Sequence, residues 1–241
     1  MRDLPFLVER TLESAMGKMA GTRRAIMFSG GFDSMLMALM ARRCGAQVTA
    51  VTVQFDDFNP LTVAGAAESA RQAGIKHCIL HVKPAEFLSA FGGLAALTEQ
   101  PMADLDLGVV YAALKKYDPK TAGNVLISGM GSDQWFGNEA LQVRPQRLKE
   151  RLQDARRQKA LHLRVAEVHG CKFIFPFLSE AMLALAQEVP AALKKDKKLL
   201  RALAIARGIP HRTFKSEIQV PAVMRRMLIT TYGRRKVKSR L

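Results

Sequence analysis

Cysteine is scarce: Cys44, Cys78 and Cys171 are the only three in 241 residues, and no two form a Cys-x-x-Cys pair. That spacing excludes a disulfide framework and a zinc knuckle, and it fits a reducing cytoplasm. No apolar run reaches the roughly 18 residues of a membrane span. Met1-Arg2-Asp3-Leu4-Pro5 does not open the hydrophobic stretch of a secretory signal. A soluble, cytoplasmic chain without a membrane partner is therefore expected. Acid is also in short supply, with 21 Asp and Glu against 37 Lys and Arg, a formal net charge of +16. Such a field attracts polyanions. After Glu217 there is no acid at all, while Arg225, Arg226, Arg234, Arg235, Lys236, Lys238 and Arg240 follow. A second basic run holds Arg144, Arg147, Lys149, Arg151, Arg156, Arg157, Lys159 and Arg164, opposed by Glu150 and Asp154. Two readings stand for these clusters: a surface for nucleic acid such as tRNA, or solvated helix faces with a frayed end. Aromatics make up 7% of the chain and few interleave the basic runs, so a base-stacking platform has little support.

What is present begins at Ala25-Ile26-Met27-Phe28-Ser29-Gly30-Gly31-Phe32-Asp33-Ser34. An apolar run suited to a buried strand ends in Ser-Gly-Gly, and Asp-Ser then opens a helical stretch. Adjacent glycines permit a tight turn and a close approach to a ligand. The amides that follow sit at a helix start, where they suit phosphate oxygens. Asp33 adds a carboxylate able to hold Mg²⁺ against those phosphates. No Gly-Lys-Ser/Thr follows, so this is not a Walker A loop.

Periodicity predicts an N-terminal helix over Phe6 to Ala20, a first strand up to Phe28, and a helix to about Cys44. A strand is expected over Gln47 to Phe55, a helix over Thr62 to Ala73 stopped by Gly74, and a strand over Cys78 to Val82. Helices follow at Pro84 to Phe91 and Ala103 to Lys116, then a strand at Asn124 to Ser128. A long charged helix covers Pro145 to Val168, with room for one break. Ser179 to Gln187, Asp196 to Arg207 and Pro221 to Thr230 complete a helical C-terminal half. Strands alternating with helices imply an α/β fold, a parallel sheet covered on both faces. With 49% apolar residues, one domain over 1–241 is expected. Its parts are an N-terminal helix (1–21), a nucleotide-binding core (22–143) and a mainly helical, basic remainder (144–241). Ligands of such folds bind beyond the strand C-termini, where both glycine loops fall.

The second loop is Ser128-Gly129-Met130-Gly131-Ser132-Asp133-Gln134-Trp135-Phe136-Gly137-Asn138. With Ser29 to Ser34 it resembles the asparagine synthetase family of PP-loop ATP pyrophosphatases, whose signatures are SGGxDS and SGxGxDExFGG. Thr62 to Gly74 followed by His77, Gln100 to Leu105, Phe175-Pro176-Phe177-Leu178, Lys197 to Arg201, and Gly208-Ile209-Pro210 with Lys215 resemble further stretches of that family in order. The resemblance implies a Rossmann-like, adenine nucleotide alpha hydrolase-like fold. It also implies an adenylating activity: ATP and a carboxylate or carbonyl substrate give an adenylate plus pyrophosphate, and an amine or ammonia attacks the activated carbon. ATP and Mg²⁺ are the implied cofactors. Met27, Ser29, Gly30, Gly31, Asp33, Ser34, Val53, Ser128 and Gly129 match ATP-binding positions, and Asp33 and Asp133 match metal ligands. Lys197 and Lys215 match lysines that reach the phosphates; for Lys197 the neighbours Lys194, Lys195 and Lys198 leave the register open, and a solvated helix face is the competing role.

Departures from the family pattern matter. Arg2 stands where the glutaminase cysteine follows the initiator, and about twenty residues precede the first strand, so no glutaminase domain is expected. Met130 replaces a Glu, Gln134 an acidic residue, and Thr213 an Arg, which points away from aspartate amidation toward a larger or less polar acceptor. Two further readings compete. One is a sulfurtransferase thiolating a nucleobase, tRNA or small molecule, with Cys171 as the first thiol to test against a plain core-packing role. The other is a regulatory subunit that binds ATP without cleaving it. The Phe6 to Ala20 helix can pack on the sheet or on a second copy, so a homodimer stays open.

Overall fold

The computed structural model describes residues 3–55, 60–98, 105–141 and 147–209, with 226, 227, 229 and 230. The strands are β1 (Arg23–Met27), β2 (Gln47–Gln54), β3 (Lys76–His81), β4 (Val125–Ile127) and β5 (Lys172–Ile174). The helices of the first half are α1 (Leu4–Met16), α2 (Phe32–Arg43), α3 (Pro60–Gln72), α4 (Pro84–Thr98), α5 (Leu105–Leu114) and α6 (Pro119–Ala122). Those that follow are α7 (Ser132–Phe136), α8 (Asn138–Leu141), α9 (Leu148–Val168), α10 (Glu180–Glu188), α11 (Ala191–Lys194) and α12 (Lys198–Ala206).

All five strands are parallel, in the order β3-β2-β1-β4-β5. Val48 to Val53 of β2 are buried without a break, as a strand covered on both faces requires. Chain order reverses between β1 and β4. In open α/β sheets the crevice at that reversal, beyond the strand C-termini, is where ligands bind. Ala25↔Leu126 and Ile26↔Ile127 set the register, so both strands end side by side. The loops after Met27 and after Ile127 flank this one point. A Rossmann-like sheet with helices is thus the architecture, as expected.

Several elements differ from the sequence expectation. α4 continues past Phe91 to Thr98, through Gly92 and Gly93. Gly93 of α4 and Gly108 of α5 serve packing: a Cβ on Gly93 would lie 2.6 Å from the Tyr111 hydroxyl, and one on Gly108 2.2 Å from the Phe91 ring. The Tyr111 and Phe91 rings thus occupy the space that a side chain at Gly93 or Gly108 would need. α1 ends at Met16, capped by Gly17 and short of Ala20, although Met19 stays buried beyond it. α9 runs unbroken. β5 lies in the half expected to be helical, and three residues are too few for a period to show. Most of the Pro221 to Thr230 helix and the basic tail lie outside the described residues. No described helix is long and apolar enough to cross a membrane.

Candidate active site

The first loop is built by exclusion of side chains. Gly30 takes φ +76°, and a Cβ there would lie 2.7 Å from the Ala66 Cα of α3. Glycine meets both demands. Ser69, one turn on, donates to the Gly30 carbonyl at 3.2 Å. The Gly31 amide donates to Ser29 Oγ at 3.2 Å, and Ser34 Oγ donates to the Gly31 carbonyl at 3.0 Å. Gly31 caps α2 without any side-chain hydrogen bond. The first amides of a 12-residue helix therefore face the loop with no intrahelical acceptor, an arrangement that attracts phosphate.

A relay below the loop fixes its entry. Thr52 Oγ1 donates to the Phe28 carbonyl at 2.7 Å and lies 2.7 Å from His77 Nε2. The hydroxyl has one proton and spends it on Phe28, so His77 Nε2 carries the proton it shares with Thr52. Burial pushes the His77 pKa below its ordinary value. The relay needs a proton on Nε2, which the neutral Nε2–H tautomer supplies.

The second loop presses onto the first. A Cβ on Gly129 would sit 3.1 Å from the carbonyl carbon and Cβ of Asp33. Ser128 N donates to the Ile174 carbonyl at 3.0 Å, extending the β4–β5 ladder into the loop, and Ser128 Oγ accepts from Met130 N at 3.2 Å. Gly131 turns with φ +97°, close against Leu178, and starts α7.

Lys197 closes the site. Its Nζ donates to Asp33 Oδ2 at 2.7 Å and Oδ1 at 2.9 Å, lies 3.7 Å from Asp133 Oδ1, and reaches Ser132 Oγ at 3.4 Å. The two carboxylates therefore lie no farther apart than those two spans end to end, well inside a Debye length of about 10 Å. Lys197 is 16% exposed, Asp33 30% and Asp133 43%. One ammonium thus holds two carboxylates from separate loops.

The backbone sets Lys197 apart from the neighbouring lysines. Asp196 and Lys197 both adopt left-handed conformations, φ 53° and 56°, and α12 begins only at Lys198. Non-glycine residues in that region store about 1–3 kcal/mol each. The turn throws Lys197 inward while Lys195 and Lys198 stay exposed. The Asn138 amide grips this turn, donating to Asp196 Oδ1 at 3.0 Å and accepting from Asp196 N at 2.9 Å. Arg201 donates to the Asp196 carbonyl at 2.9 Å, with its guanidinium 4.8 Å from the Phe32 ring centre.

Of the residues picked from sequence, Ser29, Gly30, Gly31, Asp33, Ser34, Ser128, Gly129, Asp133 and Lys197 meet at the β1–β4 crevice. Met27 and Val53 lie at the same end of the sheet, on β1 and β2. Lys215 and Thr213 lie outside the described residues. Cys171 is not brought to the site. It is buried, and it precedes β5, so it lies at the strand N-termini, roughly 10 Å of strand rise from the loops. Ser132, Asn138, Phe32, Thr52 and Ser69 were not singled out by sequence. Phe32, Ser132 and Asn138 lie inside the two loop motifs, and Ser69 follows Ala66 by one turn on one helix face; Thr52 carried no signal. The basic run of α9 is partly spent on structure: Arg156 pairs with Glu180 at 2.6 Å, Lys159 donates to the Leu178 carbonyl, and Arg151 binds the carbonyls of Gln134 and Glu139. Lys149, Arg157 and Arg164 are exposed.

A family model described as asparagine synthase matches residues 7–168. Over 90 residues the chain is 34% identical to 7-cyano-7-deazaguanine synthase 1 of Sphingopyxis alaskensis, covering 37% of this chain and 36% of that protein. The match thus spans about a third of that relative's length. Among solved structures the chain is similar to the U34-tRNA thiolase NcsA from Methanococcus maripaludis with its 4Fe–4S cluster, at 14% identity and TM-score 0.49, covering 93% of this chain and 70% of that one. It is also similar to the predicted subunit of tRNA methyltransferase from Methanocaldococcus jannaschii, at 16% identity and TM-score 0.39, covering 80% and 93%. Likenesses of that strength carry nothing about chemistry.

Proposed function

The chain belongs to the asparagine synthase family of PP-loop ATP pyrophosphatases, and from that premise we propose that it adenylates a carboxylate or carbonyl oxygen for attack by an amine or ammonia. The observation that carries this reading is the convergence of Asp33, Asp133 and Lys197 on the β1–β4 crevice. In the proposed reaction the substrate oxygen attacks the α-phosphorus, the bond to the bridging α–β oxygen breaks, and pyrophosphate leaves with that oxygen. The amine then attacks the activated carbon, loses a proton, and AMP departs.

Each residue has a part in that scheme. The amides at the start of α2, with Ser29 and Ser34, grip the departing pyrophosphate. Ser128 and Gly129 contact adenosine, with Met27 and Val53 beside the base. Lys197 meets negative charge where it grows on the phosphates, the placement that electrostatic catalysis demands. Lys215 is a second candidate for this work. The carboxylates of Asp33 and Asp133 suit Mg²⁺: they are hard oxygen donors, partly exposed, and already share a cation, the Lys197 ammonium. When bound there, the metal neutralises triphosphate charge.

Met130 stands where the family pattern has a Glu and packs, partly buried, against the apolar core, so this position offers an acceptor no charge, in keeping with a substrate less polar than aspartate. The curated relative's name, a synthase of a cyano compound, is compatible with nitrogen placed on a carboxylate-level carbon. Attack of a sulfur nucleophile on the same activated carbon, with AMP leaving on the adenylated oxygen, is the runner-up, and it would need a donor other than Cys171. The test is a pyrophosphate-release screen over pooled carboxylates with ammonia, beside arms with tRNA and a sulfide donor. Release of AMP and pyrophosphate dependent on carboxylate and ammonia supports the reading. Release only with sulfide moves the protein to the runner-up. ATP binding without turnover in any arm leaves the regulatory subunit.

A further inference from the structure

Asn138 touches neither loop carboxylate, yet the lysine between them depends on it. Asp196 and Lys197 are consecutive non-glycine residues in the left-handed region, and such a turn persists only where its surroundings impose it. The Asn138 side chain does so with both ends of its amide: Nδ2 to Asp196 Oδ1 at 3.0 Å, and Asp196 N to Oδ1 at 2.9 Å. Arg201 secures the carbonyl of the same residue at 2.9 Å. Asn138 also follows directly on Gly137, whose amide donates to the Asp133 carbonyl at 3.1 Å. One short segment therefore sets Asp133 on one side and the lysine turn on the other. Where the family signature ends in a second glycine, this chain carries an amide that glycine cannot supply.

From this geometry we infer that Asn138 is a positioning residue for Lys197: it locks the Asp196–Lys197 turn so that the ammonium is held between the loops before nucleotide arrives. The inference rests on the adenylation reading for what Lys197 does, but not for how it is held. Preorganisation of this kind matters because a displacement of about 1 Å at a reacting centre can cost about a hundredfold in rate.

Two measurements on the whole chain test it. In the first, amide hydrogen exchange is followed by NMR in Asn138→Ala. Exchange at Asp196 and Lys197 rises at least tenfold, while β1 and β2 amides keep their protection. The second is a calorimetric titration with magnesium pyrophosphate. Asn138→Ala weakens binding three- to tenfold, Lys197→Met does so by about tenfold, and the double variant is no weaker than Lys197→Met alone. Asp196→Gly, which adopts the left-handed turn without strain, restores much of the affinity in the Asn138→Ala background. Exchange unchanged at Asp196 and Lys197 overturns the inference, as do losses that multiply in the double variant. A wild-type chain blind to pyrophosphate counts against the adenylation reading alone, because the exchange measurement still decides the role of Asn138.

Discussion

Replacing Lys197 with methionine keeps the length and apolar stem of the side chain and deletes its charge. Two consequences follow, with separable magnitudes. A group aimed at charge that develops in a transition state contributes about 3 kcal/mol, at the lower end because 16% exposure lets some water in. At about 1.4 kcal/mol per tenfold, kcat for pyrophosphate release falls roughly a hundredfold. The second consequence concerns stability. Asp33 and Asp133 lose their shared counter-ion at a separation bounded by the 2.7 Å and 3.7 Å spans end to end, where an effective dielectric of about 20 gives roughly 3 kcal/mol of repulsion. Both carboxylates are partly exposed, 30% and 43%, so screening cuts this to about 1 kcal/mol. The variant should therefore stay folded, with a small shift in denaturant midpoint and a large loss of rate. Parallel urea melts and pyrophosphate assays read both. A rate within twofold of wild type would refute the reasoning, leaving Lys197 a structural ion pair.

Three further outcomes are expected. Gly30→Ala destabilises by about 2–4 kcal/mol, from a left-handed φ and a Cβ forced onto the α3 backbone, seen as an earlier urea transition. Arg207→Met strands the buried Glu9 carboxylate of α1 and lowers stability, read as an earlier urea transition. The Arg207 hydrogen bond holds the Glu9 pKa below its ordinary value, so this stabilisation is complete above about pH 4.5 and is lost as pH falls through the lowered folded value. Acid melts of the variant should lack that limb. His77 acts in the same direction at a higher pH: its folded pKa lies below 6.5, so the unfolded chain binds the proton first and stability falls as pH drops below that value. His77→Gln, compared at pH about 7.5 and 5.5, should lose that slope; equal slopes would contradict a buried neutral imidazole.

Legibility in the sequence followed the physics of each feature. The two glycine loops could be read because tight turns and close approaches admit few residue types, and both stood at the ends of strand-like runs. Lys197 could not be told from Lys194, Lys195 and Lys198 by periodicity, because its direction is set by a left-handed turn that no helical wheel contains. Cys171 lies four residues before Phe175, yet neighbours along a strand are far apart in space, and the site occupies one end of the sheet only. β5 was missed because three residues carry no period. The helix expected over Pro84 to Phe91 runs on to Thr98, with Gly93 inside it where α4 passes Tyr111 of α5.

The most direct test follows γ-labelled ATP through the reaction with an active acceptor pool. The account predicts label in pyrophosphate with an equal amount of AMP, and loss of both products in Asp33→Ala and Asp133→Ala while each variant still melts cooperatively. Label in orthophosphate with ADP, or wild-type rates in either aspartate variant, would contradict it.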